Sequence, residues 1–421
     1  MLNHLRKRLA HHPLRNIGPG IITGVADDDP SGIATYSQAG AQFGLNMLWT
    51  MPVCYPLMSA VQLICARIGR VTGRGLTANM KAVYPPGLVR TLVWLLLVAN
   101  TLNISADIAA MGESAELVTG IDRHLATPIF VLVTLGLQIF VPYHRYVGFL
   151  KWLTASLLAY AAVLLTVHVP WAEVARRTVF PHLALDGSAA TMVLGIFGTT
   201  ISPYLFFWQA SEEVEDLAGR PGLVASPDDA PGELGRIRRD TWTGMLYSDA
   251  TSFFIILATA VTLHAEGITS IDTAAQAAAA LRPLAGNFAF ILFAAGILGV
   301  GMIGVPVLAG SAAYAMAEAM GWQSGLERRA RDAKGFYAVI AISVLAAIVM
   351  QYTPINPMRA LFWSAVINGV AAVPILVVVV RIAAMPVIMG PFVAPITLRW
   401  LGWAAILIMA LSALGMIFPF L

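Results

Sequence analysis

The sequence predicts an all-α integral membrane protein of eleven spans, built as two five-span halves of opposite topology with one appended helix. Three observations predict this. Of its residues 58% are hydrophobic and 12% charged, with a mean hydropathy of +0.75, about half the charge of a soluble domain. Apolar runs of about 20 residues, enough to cross a bilayer, recur along the whole chain. Two of them, the first and the sixth, are interrupted by glycine, proline and polar residues where a membrane helix should be continuous.

The first run, 17–43, contains Gly24-Val25-Ala26-Asp27-Asp28-Asp29-Pro30-Ser31-Gly32. Pro30 and the flanking glycines cannot sustain one helix, so two half-helices are predicted to meet near the midplane, with free backbone carbonyls beside the carboxylates. Spans two to five follow at 46–66, 90–118, 125–143 and 147–169. The sixth, 190–212, breaks within Gly195-Ile196-Phe197-Gly198-Thr199-Thr200-Ile201-Ser202-Pro203-Tyr204. Spans seven to eleven are predicted at 241–264, 286–319, 336–352, 359–380 and 399–420. Breaks in spans one and six are what two five-span repeats produce, here 17–169 and 190–380, and an odd number of spans per repeat inverts the second. The helix at 399–420 is the appendage and 1–16 a tail, so 1–421 reads as a single transmembrane domain. The hydrophilic insert Glu212 to Asp240, with Pro221-Gly222, Ser226-Pro227 and Pro231-Gly232, reads as a flexible loop.

Charge sets the orientation. Placing the N-terminus in the cytoplasm puts all Lys and Arg on that side except Arg123, Arg176, Arg177, Arg282 and Arg359, which fits a bacterial-type inner membrane protein with its C-terminus outside. The basic residues are scattered between apolar spans, and a net charge of +3 without a continuous patch excludes nucleic acid as a partner. The basic start is not a signal peptide, because the run after it carries aspartates and no cleavage site. His4, His11 and His12 read as part of the solvated basic tail. Cys54 and Cys65 lie in one span and read as reduced thiols.

Three consecutive carboxylates at bilayer depth are costly and mark a polar cavity or a bound ion. Half-helix ends that meet beside them build a cation site of the kind transporters use. Successive helical residues are rotated by about 100°, so Asp27, Asp28 and Asp29 can share one ion only where the helix is unwound; otherwise Asp27 and Asp28 are vestibule charges. Asp107 lies in span three. Glu113 and Glu116 share a face further along it, either as a relay or as charges paired near the helix end. Asp249 in span seven has no partner that the sequence identifies.

These residues resemble the NRAMP family of divalent-metal transporters. Gly18-Pro19-Gly20, Asp29-Pro30-Ser31-Gly32 and Ala34-Thr35-Tyr36-Ser37-Gln38-Ala39-Gly40-Ala41 stand where the family has Gly-Pro-Gly, Asp-Pro-Gly-Asn and a stretch like Ala-Thr-Asp-Leu-Gln-Ala-Gly-Ala. Gly198 to Tyr204 matches its Gly-Ala-Thr-Val-Met-Pro-His, and Pro374-Ile375-Leu376 through Val387-Ile388-Met389-Gly390 is similar to the end of its span ten. The resemblance covers nearly the whole chain and implies the leucine-transporter fold, with discontinuous helices 1 and 6. It also implies a secondary transporter, not an enzyme, moving divalent cations by alternating access, with the metal as substrate, no resident cofactor and H+ as the candidate coupling ion. By resemblance Asp29 is the binding aspartate, and Ala26 and Thr199 give carbonyl ligands. Pro30, Gly32, Pro203 and Tyr204 mark the gating breaks, and Asp107 opens the proton route.

Four side chains depart from the family. Gly32 replaces an asparagine, Ser202 a thioether methionine, Tyr204 a histidine and Ala372 a glutamine, while Ala110 stands where span three should carry a second acid. The remaining donors, Asp27, Asp28, Asp29, Thr199, Thr200, Ser202 and Asn368, all present oxygen, which suits Mn²⁺, Mg²⁺ or Ca²⁺ better than softer metals. Two other classes are weighed against this reading. An organic-substrate symporter of the same fold would bind a carboxylate at the half-helix ends, which three acids would repel. A Mg²⁺-dependent membrane enzyme acting on a diphosphate would need basic residues near the carboxylates, and no Lys or Arg occurs inside the two interrupted spans. The expected partners are therefore the metal ion and the lipid bilayer, with no obligate protein partner.

Overall fold

Two broken helices cross at the centre of the molecule. In the computed structural model, which describes residues 19–141, 155–182, 186–217, 219–228, 230–326, 328–350 and 352–417, the first span is α1 (Pro19–Asp27) and α2 (Pro30–Phe43). Spans two to four are α3 (Thr50–Thr72), α4 (Pro86–Thr119) and α5 (Arg123–Phe140). The sixth divides into α6 (Gly187–Thr200) and α7 (Pro203–Asp216). Then come α8 (Ala230–Thr259), α9 (Ala289–Met320), α10 (Lys334–Met350), α11 (Pro357–Ala383) and α12 (Ile396–Ile417).

Among the described residues eight helices are long and apolar enough to cross a membrane. The remaining three predicted spans are accounted for by the divided first span, with pieces of 9 and 14 residues, by α10 with 17, and by the fifth, whose 147–154 lie outside the described residues. The predicted tail 1–16 and the ends of spans four and eleven, 142–143 and 418–420, also lie outside them. Both breaks follow from the same local chemistry. Pro30 and Pro203 each sit in the first helical turn of their half-helix, where the missing N–H costs nothing and the fixed φ favours starting a helix. At the start of α6, Asp186 accepts the Ala189 amide at 2.7 Å, and this bond holds its carboxyl below the usual range.

Close backbone contact fixes the half-helices in place. α1 lies along α8, where a Cβ on Gly24 would stand 2.2 Å from the Gly244 carbonyl oxygen. Likewise α6 lies along α11, where a Cβ on Gly198 would stand 2.1 Å from the Ala365 carbonyl oxygen. Any side chain at either glycine would drive the helices apart. α4 packs against α9, α10 and α11, and α7 against α3 and α9. α5 and α12 are peripheral: Leu132 is 66% and Leu407 59% exposed, as expected of apolar surface that faces lipid.

The insert read as a flexible loop is shorter than predicted. α7 runs to Asp216 and α8 already starts at Ala230, because Pro231 falls in the first turn, which tolerates proline. These two helix ends carry four of the five residues of an ion network. Arg70, near the end of α3 and 1% exposed, contacts Asp216 at 3.0 Å and Glu213 at 3.8 Å and donates to Glu233 through Nε at 2.9 Å. Arg236 contacts Glu213 at 2.7 Å, Glu233 at 3.2 Å and Asp216 at 3.6 Å. The segment after α8 is latched onto α2 and α11. Gln38 accepts the Ile271 amide at 2.9 Å, and Arg359 pairs with Asp272 at 2.9 Å.

Candidate metal site

Asp29 caps α2. Its backbone is extended, and Oδ1 accepts the Gly32 amide at 2.9 Å and the Ser31 hydroxyl at 2.6 Å. The sequence Asp-Pro-Ser-Gly is thus a helix start that holds a carboxylate at the positive end of α2. The other oxygen, Oδ2, accepts Asn103 Nδ2 from α4 at 2.9 Å and the Tyr204 hydroxyl from α7 at 3.3 Å. That hydroxyl also lies 3.1 Å from the Ala26 carbonyl, one of those that the end of α1 leaves without a helical partner. A phenol has one proton for two acceptors. Ala26 and Asp29 therefore converge on the Tyr204 hydroxyl, whose single proton can satisfy only one of them.

The sixth-span residues border this point unequally. Thr199 Oγ1 stands 3.4 Å from Ser31 Oγ, and a Cβ on Gly32 would come within 3.3 Å of it. Ser202 does not cap α7; its hydroxyl turns back to the Gly198 and Thr199 carbonyls, 2.6 and 2.7 Å away, which share its one proton. Thr200 turns away, bonding the Ile196 carbonyl at 2.8 Å and meeting Cys54 Sγ at 3.0 Å. Asn368 is fully buried with neither amide atom hydrogen-bonded, and the next residue, Gly369, packs on Leu194 and Gly198.

Asp27 and Asp28 face α8 instead. Ser248 Oγ lies 2.5 Å from Asp27 Oδ2 and 3.0 Å from Asp28 Oδ1. Among the described residues no three His, Cys, Asp or Glu side chains converge on one metal position, so the three aspartates are not a single cage. Asp107 is fully buried, lies in the field of Asp29 and has the Ser31 amide as its nearest donor, outside full hydrogen-bond geometry. Glu113 and Glu116 are only half-buried. Six residues of helix, about 9 Å, separate Glu113 from Asp107, and Glu113 Oε1 accepts the Ala274 amide at 2.9 Å. Asp249 is buried with Oδ1 unbonded.

No basic side chain among the described residues bonds Asp27, Asp28, Asp29 or Asp107. Isolated buried carboxylates cost several kcal/mol each, and this concentration of uncompensated charge can be relieved by cations. Sequence reasoning missed Asn103, Ser364, Ser248 and Ser252. Ser364 donates to Asn103 Oδ1 at 2.5 Å, which orients that amide toward Asp29. A signal existed for Asn103, since it lies four residues before Asp107 and shares its helix face.

The sequence profile of the Nramp family, described as natural resistance-associated macrophage protein-like, matches residues 20–419. A protein named divalent metal cation transporter MntH from Acidiphilium cryptum is 27% identical over 403 residues, covering 90% of this chain and 89% of that one. Another of that name from Klebsiella pneumoniae is 24% identical, covering 93% and 91%. A crystal structure of the Eremococcus coleocola manganese transporter superposes with a TM-score of 0.75 at 17% identity, over 95% of this chain and 85% of that one. MhsT in complex with L-phenylalanine superposes with a TM-score of 0.61 at 12% identity, over 94% and 98%. The eleven-span order with its paired breaks is the leucine-transporter fold, five plus five inverted with an eleventh helix, and the chain belongs to the Nramp family of divalent metal transporters.

Proposed function

We infer that this protein is a secondary transporter carrying Mn²⁺ or Mg²⁺ across the bacterial inner membrane by alternating access, with its N-terminus in the cytoplasm and its C-terminus outside. The observation that carries the reading is the convergence of the Asp29 carboxylate and the Ala26 carbonyl on the Tyr204 hydroxyl, at a point lined by oxygen. Asp29 and Ala26 bind the ion, with Thr199, Ser202 and Asn368 closing around it. The bacterial relatives named as divalent metal cation transporters support the cargo, and the distribution of Lys and Arg supports the orientation. Although the fold also serves a protein crystallised with L-phenylalanine, acids at the break oppose an anionic group. The experiment is Mn²⁺ uptake into proteoliposomes with Mg²⁺ as competitor. Saturable uptake that Mg²⁺ inhibits is expected; uptake indifferent to Mg²⁺ would contradict the hard-ion reading.

Selectivity follows from Ser202. Methionine there removes the hydroxyl that binds the Gly198 and Thr199 carbonyls, freeing both, and adds a soft sulfur. Ser202→Met is expected to raise competition by Cd²⁺ at least tenfold over Mg²⁺. Gly32→Asn is expected to add less, because its Cβ must press on the Tyr36 ring at 3.2 Å. Unchanged Cd²⁺ competition would place Ser202 outside the site.

Proton coupling is expected to be weak. Tyr204, in the family's histidine position, holds its proton at neutral pH, and Glu113 is engaged with the Ala274 amide. Metal uptake should then follow the metal gradient and membrane potential with little acidification of the lumen. Strong metal-dependent acidification, read with a trapped pH dye and abolished by Asp107→Asn, would show a working route through Asp107.

A further inference from the structure

The three adjacent aspartates divide between two neighbourhoods, and the second has its own ligand chemistry. Asp27 and Asp28 are 0% and 1% exposed. Each turns one oxygen to Ser248, at 2.5 and 3.0 Å. A hydroxyl carries one proton and can satisfy one carboxylate, not two. Ser252 offers little relief, since its hydroxyl donates to the Ser248 carbonyl at 3.0 Å and stands 3.5 Å from Asp28. The other oxygens, Asp27 Oδ1 and Asp28 Oδ2, are buried without any hydrogen bond. The hydroxyl of Tyr36, fully buried and in the field of both carboxylates, has Ser252 as its neighbour but no partner in full hydrogen-bond geometry; side chains on a helix lean toward its N-terminus, which for α2 is the break.

Two carboxylate oxygens within 3.0 Å of one hydroxyl oxygen repel each other and are close enough for one cation to bridge. The two other carboxylate oxygens are unbonded, the Tyr36 hydroxyl has at most Ser252 beside it, and no basic side chain among the described residues bonds them. Hard divalent ions take such all-oxygen sets, and a charge of +2 neutralises the pair.

We propose that Asp27, Asp28, Ser248 and Tyr36 form a second divalent-cation site on the α1 side of the break, separate from Asp29, which the cargo occupies after leaving the first. The inference rests on Asp29 as the first cargo ligand. α8 supplies Ser248 and packs along the whole of α1, so a displacement of α1 that opens the path toward the cytoplasm would part Asp27 and Asp28 from Ser248. The ion would then be released on that side.

The test uses the purified full-length protein in nanodiscs, with Mn²⁺ as the probe. Equilibrium dialysis should give two Mn²⁺ per chain, and electron paramagnetic resonance should show dipolar broadening from two nearby ions. Asp27→Asn with Asp28→Asn should reduce this to one ion with a narrow spectrum. Asp29→Asn should also leave one, and Ser248→Ala should weaken the second ion about tenfold while keeping the first. One ion in the wild type, lost in Asp29→Asn and kept in the double variant, would overturn the second site and leave the cargo site standing. Two ions retained in Asp29→Asn would instead remove Asp29 from the cargo reading and leave the inner pair intact. A wild-type stoichiometry of two that Ser248→Ala and the Asp27/Asp28 variant both leave unchanged would also overturn the proposal.

Discussion

Proteoliposomes carrying Asp29→Asn should lose Mn²⁺ uptake by at least about 100-fold. Asparagine caps helices as well as aspartate does, so the α2 start, including the bond to the Gly32 amide, survives, but its amide nitrogen cannot accept the Asn103 amide and Tyr204 hydroxyl that Oδ2 accepts, so the loss reports charge, metal binding and those two bonds together. Groups that only orient a ligand typically cost 10–100-fold in affinity when removed, which bounds the expected effect of the ligand itself from below. Asn103→Ala should fall within that smaller range, because Asn103 fixes Asp29 Oδ2 at 2.9 Å and is itself held by Ser364. Asp29→Ala should add about 1 kcal/mol of lost capping to the transport defect. Tracer flux at saturating and subsaturating Mn²⁺ separates these cases. Wild-type flux through Asp29→Asn would remove the central functional claim, and a larger defect in Asn103→Ala than in Asp29→Asn would exchange their roles.

The breaks were legible because they depend on local chemistry: Asp-Pro and Ser-Pro start helices wherever they stand. The partition of the three aspartates was not legible. It depends on which face of α8 meets α1, and the contact joins residues about 220 positions apart in the chain. Helices that are apolar all round, such as α9, give no periodic signal of their rotation, so the close approach of Gly304 to Asp29 could not be read from pattern. Ser202 was hidden for a different reason. Whether a serine caps the next helix or bonds back to the previous one is decided by its side-chain rotamer. The basic residues show a further gap: Arg70 and Arg236 read as topology signals by position, yet both are also structural.

Arg70→Met should produce the largest loss of stability of any single substitution at this end of the molecule. The Arg70 guanidinium is 1% exposed and meets Glu213, Asp216 and Glu233, so methionine keeps much of the volume while stranding acids around Arg236 alone. Removing one partner from a buried ion network costs about 3–5 kcal/mol, most of it from the charges left unpaired. Glu213 bears the greater part, being fully buried with Oε1 already unbonded, whereas the Asp216 side chain is 48% exposed and recovers water. Arg236→Met should cost less, since its side chain is 32% exposed. Adding Glu213→Gln to Arg70→Met should restore part of the loss by removing the stranded charge. Thermal unfolding of wild type, Arg70→Met, Glu213→Gln and the double variant in one detergent gives this cycle, with Arg236→Met measured beside it. Equal melting temperatures for Arg70→Met and the wild type would mean that the network contributes no net stability. A larger loss in Arg236→Met would mean that burial does not rank the two arginines. The network ties the ends of α3 and α7 to the start of α8, the helix along which α1 lies, so a stability deficit here should coincide with faster Mn²⁺ release toward the α1 side.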